Sequence, residues 1–176
     1  MQIITDENTK IENNLVLPVL AVRGLVFFPG MMLQFDVARK KSILAVSEAL
    51  SKDRLIFLVT QIDLSEKEPR GEDLYKTGVI ARIAQVVHHS EEGVKLHVEG
   101  ICRGEINSLL REEPYLLGDV TKCPMLTYKP SYRSEALLRI VHEKFDEYLR
   151  LFKHVPPDVL LGVLQEKDCG RLADYI

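Results

Sequence analysis

The chain has 176 residues, 46% of them hydrophobic and 28% charged, with a formal net charge of −3. That length suits one domain, or one domain with a smaller lobe, and the composition suits a globular chain able to bury a core. The acidic balance excludes a whole-chain basic footprint for nucleic acid, and no apolar run approaches the ~20 residues a membrane span needs.

Residues 1–14, MQIITDENTKIENN, are polar and are expected to form a flexible N-terminus. They lack the basic start and apolar core of a secretory signal, so the expected compartment is the cytoplasm. LVLPVLAV (15–22) reads as a strand interrupted at Pro18, and the proline suggests an edge position or a strand start. In 23–37, Phe27, Phe28, Met31, Met32, Leu33 and Phe35 crowd around a Pro29-Gly30 turn signal. Such a segment either tucks onto the core or forms an exposed apolar lip that grips a partner.

The stretch 38–52 reads as a helix, with Ile43, Val46, Ala49 and Leu50 on one face and Lys40, Lys41, Ser47 and Glu48 on the other. RLIFLVTQI (54–62) is nearly continuous in its apolar residues, which favours a buried strand. The charged stretch 63–75 reads as a solvated loop. Partial alternation over 77–89 and clean alternation over 94–100 flank SEEG (90–93), which predicts a β-hairpin. Further short strands are expected at 101–110 and 115–123.

Two prolines in 123–134 mark a change of pattern, so 124–131 is expected to link a β-rich lobe (15–123) to a helical lobe (132–176). In 134–153, Leu137, Val141, Phe145, Tyr148 and Phe152 form one apolar stripe, with Ser134 as a plausible N-cap. Lys153 and His154 suit a helix C-terminus, and Pro156 and Pro157 end it. A second helix is expected from Asp158 to Lys167, and Asp168 caps a third segment that runs into the end of the chain. That ending suggests a truncated helical lobe.

Little in the sequence carries chemistry. No phosphate-binding G-x-x-x-x-G-K-[ST] and no G-x-S-x-G elbow occurs. His88 and His97 flank the predicted hairpin turn and could face each other, yet two histidines make a weak metal signal. Cys102, Cys123 and Cys169 are odd in number and widely spaced, so they read as buried or idle thiols. Arg39, Lys40 and Lys41 make a small basic patch, read either as a solvated helix face or as a surface that steers acidic partners. The residues by themselves describe a non-catalytic binding module whose recognition candidate is Phe27–Phe35.

The order LPVLAVRGLVFFPGMMLQFDVARKKSI, DRLIFLVTQID, DLYKTGVIARIAQVV, GVKLHVEGICRGEI resembles the N-terminal domain of the bacterial ATP-dependent Lon proteases, over 15–122 and on to the LADYI ending. Ala21 stands where the family has a second proline, and Gly24 and Gly30 where many relatives carry polar residues. The resemblance implies an α+β fold: a PUA-like pseudo-barrel lobe with one helix, followed by a helical bundle. It implies a cytoplasmic, hexameric AAA+ hydrolase with a Ser-Lys dyad, whose ATPase and protease modules are absent from these residues. The chain alone would then be non-catalytic and hold no cofactor, with ATP and Mg belonging to the ATPase module. Its expected partners are unfolded or tagged proteins, the rest of the protease and neighbouring subunits; neither membrane nor nucleic acid is expected. The residues expected to capture substrate are Val22, Phe28, Met31, Met32, Leu33 and Phe35, with Arg39, Lys40 and Lys41 steering acidic chains. Two alternatives stay open: a PUA-like nucleic-acid-binding module and a free-standing protein-interaction domain.

Overall fold

The strongest pattern in the sequence, the alternation on either side of SEEG, builds the longest hairpin. In the computed structural model, which describes residues 14–90, 93–123, 131–152 and 157–176, β4 (Thr77–Ser90) pairs antiparallel with β5 (Gly93–Arg111). Val94, Leu96 and Val98 point into the core as the alternation requires. The sequence suggested two short strands over 94–110, but β5 runs unbroken through Gly100. Its register with β4 shifts at three places, so the strand pair can bend.

One edge of β5 therefore serves two partners. Its first half pairs with β2 (Met32–Val37) and its second half with β6 (Leu117–Lys122), both antiparallel. On the other side, β3 (Leu55–Thr60) joins β4, and β1 (Asn14–Val22) lies parallel to β3 and antiparallel to β6. The order β2-β5-β4-β3-β1-β6, with β6 returning to β5, closes five strands into a ring. β2 hangs outside that ring.

This topology explains the apolar run at 54–62. The central strands send alternate side chains into two cores. Leu20, Ile56, Leu58, Ala81 and Ile83 belong to one, with Val46 and Ala49 of α1 (Lys40–Ser51). Leu17, Val19, Phe57, Val59, Ile80 and Val120 belong to the other. A strand covered on both faces has no reason to alternate.

Pro18 lies neither at an edge nor at a break: it is a buried residue inside β1, with a neighbouring strand on each side of the ring. β1 pairs with β6 through Asn14–Pro18 and with β3 through Val19–Val22. The Val19 N–H donates to the Leu116 carbonyl on the β6 side. Successive N–H groups point to opposite edges, so the Pro18 position faces β3 just before that pairing begins, where the missing donor costs nothing.

The chain divides into two compact units, residues 1–124 and 125–176. In the second, α2 (Tyr132–Leu151) begins one turn earlier than the apolar stripe suggested. Its N-cap is Ser131, whose hydroxyl accepts from the Ser134 N–H at 3.1 Å, while Ser134 Oγ accepts from the Ser131 N–H at 2.9 Å. Phe145 packs with Val163 of α3 (Pro157–Gln165) and Leu172 of α4 (Cys169–Tyr175), joined by Leu138, Val141 and Leu149. Leu137, Tyr148 and Phe152, assigned to the buried stripe by periodicity, are exposed instead. The buried stripe advances through Leu138, Val141, Phe145 and Leu149, a tighter i, i+3, i+7, i+11 series. Asp168 caps α4 as expected, accepting from the Gly170 and Arg171 N–H groups. Residues 1–13 of the expected N-terminal segment, residues 124–130 of the expected linker 124–131, and Lys153, His154 and Pro156 lie outside the described residues.

Candidate functional site

The Pro29-Gly30 signal forms a type II turn. The Met31 N–H donates to the Phe28 carbonyl at 3.2 Å, and Gly30 has φ of 81°, the value this turn demands at its third residue. The turn docks on β5 through two bonds at one residue: Gly30 N–H to Gly100 O and Gly100 N–H to Met31 O, both 2.9 Å. Gly100 has no room for a side chain, because a Cβ there would strike the Phe28 carbonyl and sit 3.0 Å from the Phe27 ring.

That docking decides which of the expected capture residues meet solvent. Phe27 is buried, and Phe28, Met31, Leu33 and Phe35 are half-buried, with Met31, Leu33 and Phe35 packed on the core. Met31 Sδ accepts from the Phe28 N–H at 3.3 Å, so the thioether folds back over the turn. The Arg103 guanidinium lies 5.8 Å from the Phe28 ring centre. Val22, expected on the binding face, is only 6% exposed and belongs to the core. Met32 is the one outward group of the six, at 61% exposure. Val26 in the same segment and Ile101, next to Gly100, are also exposed.

Among the described residues β2 pairs with β5 only. The Gly100–Met31 bond fixes the phase of this ladder. Leu33, Phe35 and Val37 turn their backbone groups to β5, and Met32, Gln34 and Asp36 turn theirs to the outer edge. Among the described residues, the last four residues of β1 likewise ladder with β3 alone; on their other edge the Val19 N–H meets the Leu116 carbonyl and the Ala21 carbonyl meets Arg39. Between these two edges lies a cleft of about 680 Å³, lined by Ala21 and Val22 on one side, Phe35 and Asp36 on the other, and Arg39 and Lys40 at the start of α1.

Arg39 spans the seam. Its Nη1 donates to the Ala21 carbonyl at 3.2 Å and its Nη2 to Gln61 Oε1 at 2.6 Å. Gln61, 1% exposed, donates in turn to the Asp63 carbonyl (2.6 Å) and the Glu66 carbonyl (3.0 Å), pinning the loop after β3. Burial, and then the neighbouring Arg23, pull the Arg39 pKa below its ordinary value. Of the expected steering residues, Arg39 is thus committed inside the fold, and Lys41 is paired with Glu113 at 2.5 Å. Lys40 is exposed at the cleft. Arg23 and Lys67, not singled out in the sequence, line the same cleft. Gln61 had a readable signal, being a polar residue that closes an apolar run.

The other sequence candidates do not converge here. The hairpin register sets His97 opposite Gln85 and His88 opposite Lys95, so the two histidines do not face each other. Among the described residues no group of three or more His, Cys, Asp or Glu is placed to hold a metal ion. Cys102, Cys123 and Cys169 are free and half-buried, and burial pushes the Cys102 and Cys123 thiols up. Among the described residues no helix is long and apolar enough to cross a membrane.

A strand ring with an appended edge strand and a separate helical unit defines a small β-barrel-like domain with a surface cleft. Residues 16–176 match the family model of the ATP-dependent protease La (LON) substrate-binding domain, and the chain belongs to that family. It is 36% identical over 165 residues to the Lon protease of Clostridium acetobutylicum, covering 94% of this chain and 21% of that protein. It is 37% identical over 172 residues to the Lon protease of Geobacter metallireducens, covering 97% and 21%. The chain thus spans about one fifth of the length of these relatives, at their N-terminal domain. The fold matches the N-terminal domain of the Mycobacterium avium complex Lon protease with a TM-score of 0.70 at 20% identity, over 90% of this chain and 80% of that one. The Lon N-terminal domain protein from Xanthomonas campestris gives 0.56 at 15% identity, over 91% and 95%.

Proposed function

We propose that this domain captures unfolded or damaged proteins for an ATP-dependent cytoplasmic protease, and that Met32 on β2 is its foremost apolar contact. The match of residues 16–176 to a substrate-binding domain family carries the reading. Exposure of Met32 beside half-buried Phe28, Leu33 and Phe35 supports the choice of surface. A flexible, polarizable thioether adapts to partners that share only exposed apolar groups. ATP, Mg and the bond-breaking groups belong to the parts of the whole protease beyond this domain. The domain contributes substrate binding and contacts with the rest of the protease and its neighbouring subunits. Affinity at one site is weak, and several copies in a hexamer raise it by avidity, by about 10²–10⁴-fold.

The test is fluorescence anisotropy of the chain with a labelled, permanently unfolded, near-neutral polypeptide and with a single-stranded RNA. Met32→Ser removes an exposed group, so the fold persists. It is expected to weaken polypeptide binding about five- to tenfold, the loss of roughly 1–1.4 kcal/mol of apolar contact. Unchanged polypeptide binding, or steeply salt-sensitive binding to the RNA alone, overturns the reading.

A further inference from the structure

We propose that an extended, acidic polypeptide segment occupies the cleft, adding to the outer edge of β2 as a further strand with its carboxylates toward Arg23, Lys40 and Lys67. This inference rests on the substrate-binding reading and names the chemistry of the substrate segment. The first argument is the edge. Among the described residues β2 is bonded to β5 alone, and the phase of the ladder sends the N–H and C=O groups of Met32, Gln34 and Asp36 outward. An extended chain takes affinity from such a row of main-chain groups whatever its sequence, which suits a site that must accept many chains.

The second argument is charge. The whole chain carries a net charge of −3. Yet the cleft is lined by Arg23, Arg39, Lys40 and Lys67 against only Asp36 and Glu68. Asp36 is itself 3.5 Å from the Lys95 ammonium. Arg39 is held by its own carbonyl and amide partners, and it keeps its positive charge at the cleft. The first turn of α1 itself contains no acidic residue, so the positive end of the helix adds to this field, with Glu113 engaged by Lys41. A local positive field beside an open strand edge complements an acidic strand and repels a basic one.

Two substitutions separate the edge from the charge. Gln34→Pro removes the central outward N–H and leaves the inward bonds of Leu33 and Phe35 to β5. Lys40→Glu reverses a charge in the cleft while placing a carboxylate in the first turn of α1, where the helix dipole favours it, so the fold gains rather than loses. The probes are two labelled nine-residue peptides, one alternating Val and Glu and one alternating Val and Lys, with the near-neutral unfolded polypeptide alongside.

The Val-Glu peptide is expected to bind at least tenfold tighter than the Val-Lys peptide, and less tightly as salt rises. Each substitution is expected to weaken it fivefold or more. Equal binding of the two peptides, or binding of the Val-Glu peptide within twofold after Lys40→Glu, overturns the inference. If Gln34→Pro fails to fold, Lys40→Glu decides alone. If the near-neutral polypeptide binds while the Val-Glu peptide does not, this inference falls and the substrate-binding reading stands. If neither binds, both fall.

Discussion

Replacing Arg39 with lysine keeps the charge and removes the planar fork, which makes it a sharp test of what this residue does. The guanidinium reaches Gln61 Oε1 at 2.6 Å with one nitrogen and the Ala21 carbonyl at 3.2 Å with the other. Gln61 is 1% exposed and its amide nitrogen is already committed to the Asp63 and Glu66 carbonyls. Without Arg39 its buried oxygen loses its donor. Leaving a buried acceptor unsatisfied costs about 1–3 kcal/mol. The longer bond to Ala21 is partly solvated and adds little. Arg39→Ala is therefore expected to cost about 2–3 kcal/mol, and Arg39→Lys about 1–2, since one ammonium replaces a two-pronged donor. At about 2–4 °C per kcal/mol for a chain of this size, that is a Tm loss of roughly 4–12 °C for alanine and 2–8 °C for lysine. The assay is thermal and denaturant unfolding of both variants, combined with Gln61→Met in a double-mutant cycle. Gln61→Met removes the amide that needs the donor, so the pair should show a coupling of at least about 1 kcal/mol. If Arg39→Lys melts within 1 °C of the parent and the cycle is additive, the keystone role is wrong.

Three further outcomes follow from the geometry. Gly100→Ala would push the Phe28–Met31 turn off β5, break its two 2.9 Å bonds and loosen Phe27; a stability loss of about 2–4 kcal/mol is expected in denaturant unfolding. Arg54 follows α1 with φ of 62°, a left-handed conformation that costs a side-chain-bearing residue about 1–2 kcal/mol, so Arg54→Gly should stabilise by about 0.5–1 kcal/mol after its entropy cost, seen as a raised denaturant midpoint. Asp168 accepts from two N–H groups at the start of α4, and Asp168→Ala should cost the helical unit about 1 kcal/mol, read as lost amide-exchange protection in α4.

What the sequence made legible was local. The 77–100 alternation, the Pro29-Gly30 turn, the α1 stripe and the Asp168 cap each depend on residues within one turn or one hairpin, and each forms where its pattern lies. What stayed hidden depends on which strands become neighbours. Pro18 looked like an edge residue because a proline cannot complete a ladder; it is internal because β1 changes partner at that residue. Gly100 looked like the end of a strand, and it is a place inside β5 where the Phe28 backbone approaches too closely for a side chain. Ser134 looked like a helix cap, and it is the third residue of a box whose cap is Ser131. The basic patch was legible as composition, but Arg39 and Lys41 are consumed by partners far along the chain, Gln61 and Glu113, which no local pattern announces.

The seam follows from those same non-local choices. β5 is too long for one partner on its free edge, so β6 takes the second half and β2 the first. β1 outruns β6 in the opposite sense, keeping β3 beside its last four residues. Among the described residues, two strand edges are therefore left without a strand between them. An open edge invites self-association, and β2 carries the usual restraints: it is six residues long, Gln34 and Asp36 share its outward face, and Pro29 precedes it in the turn. Met32 is the exception on that face. An edge guarded along most of its length but apolar at its start resists copies of itself while accepting a strand that brings an apolar group to one end and acidic groups to the other. Arg39 holds the seam together without filling it, because a side chain can tie two strands at one point and leave the rest of the gap free.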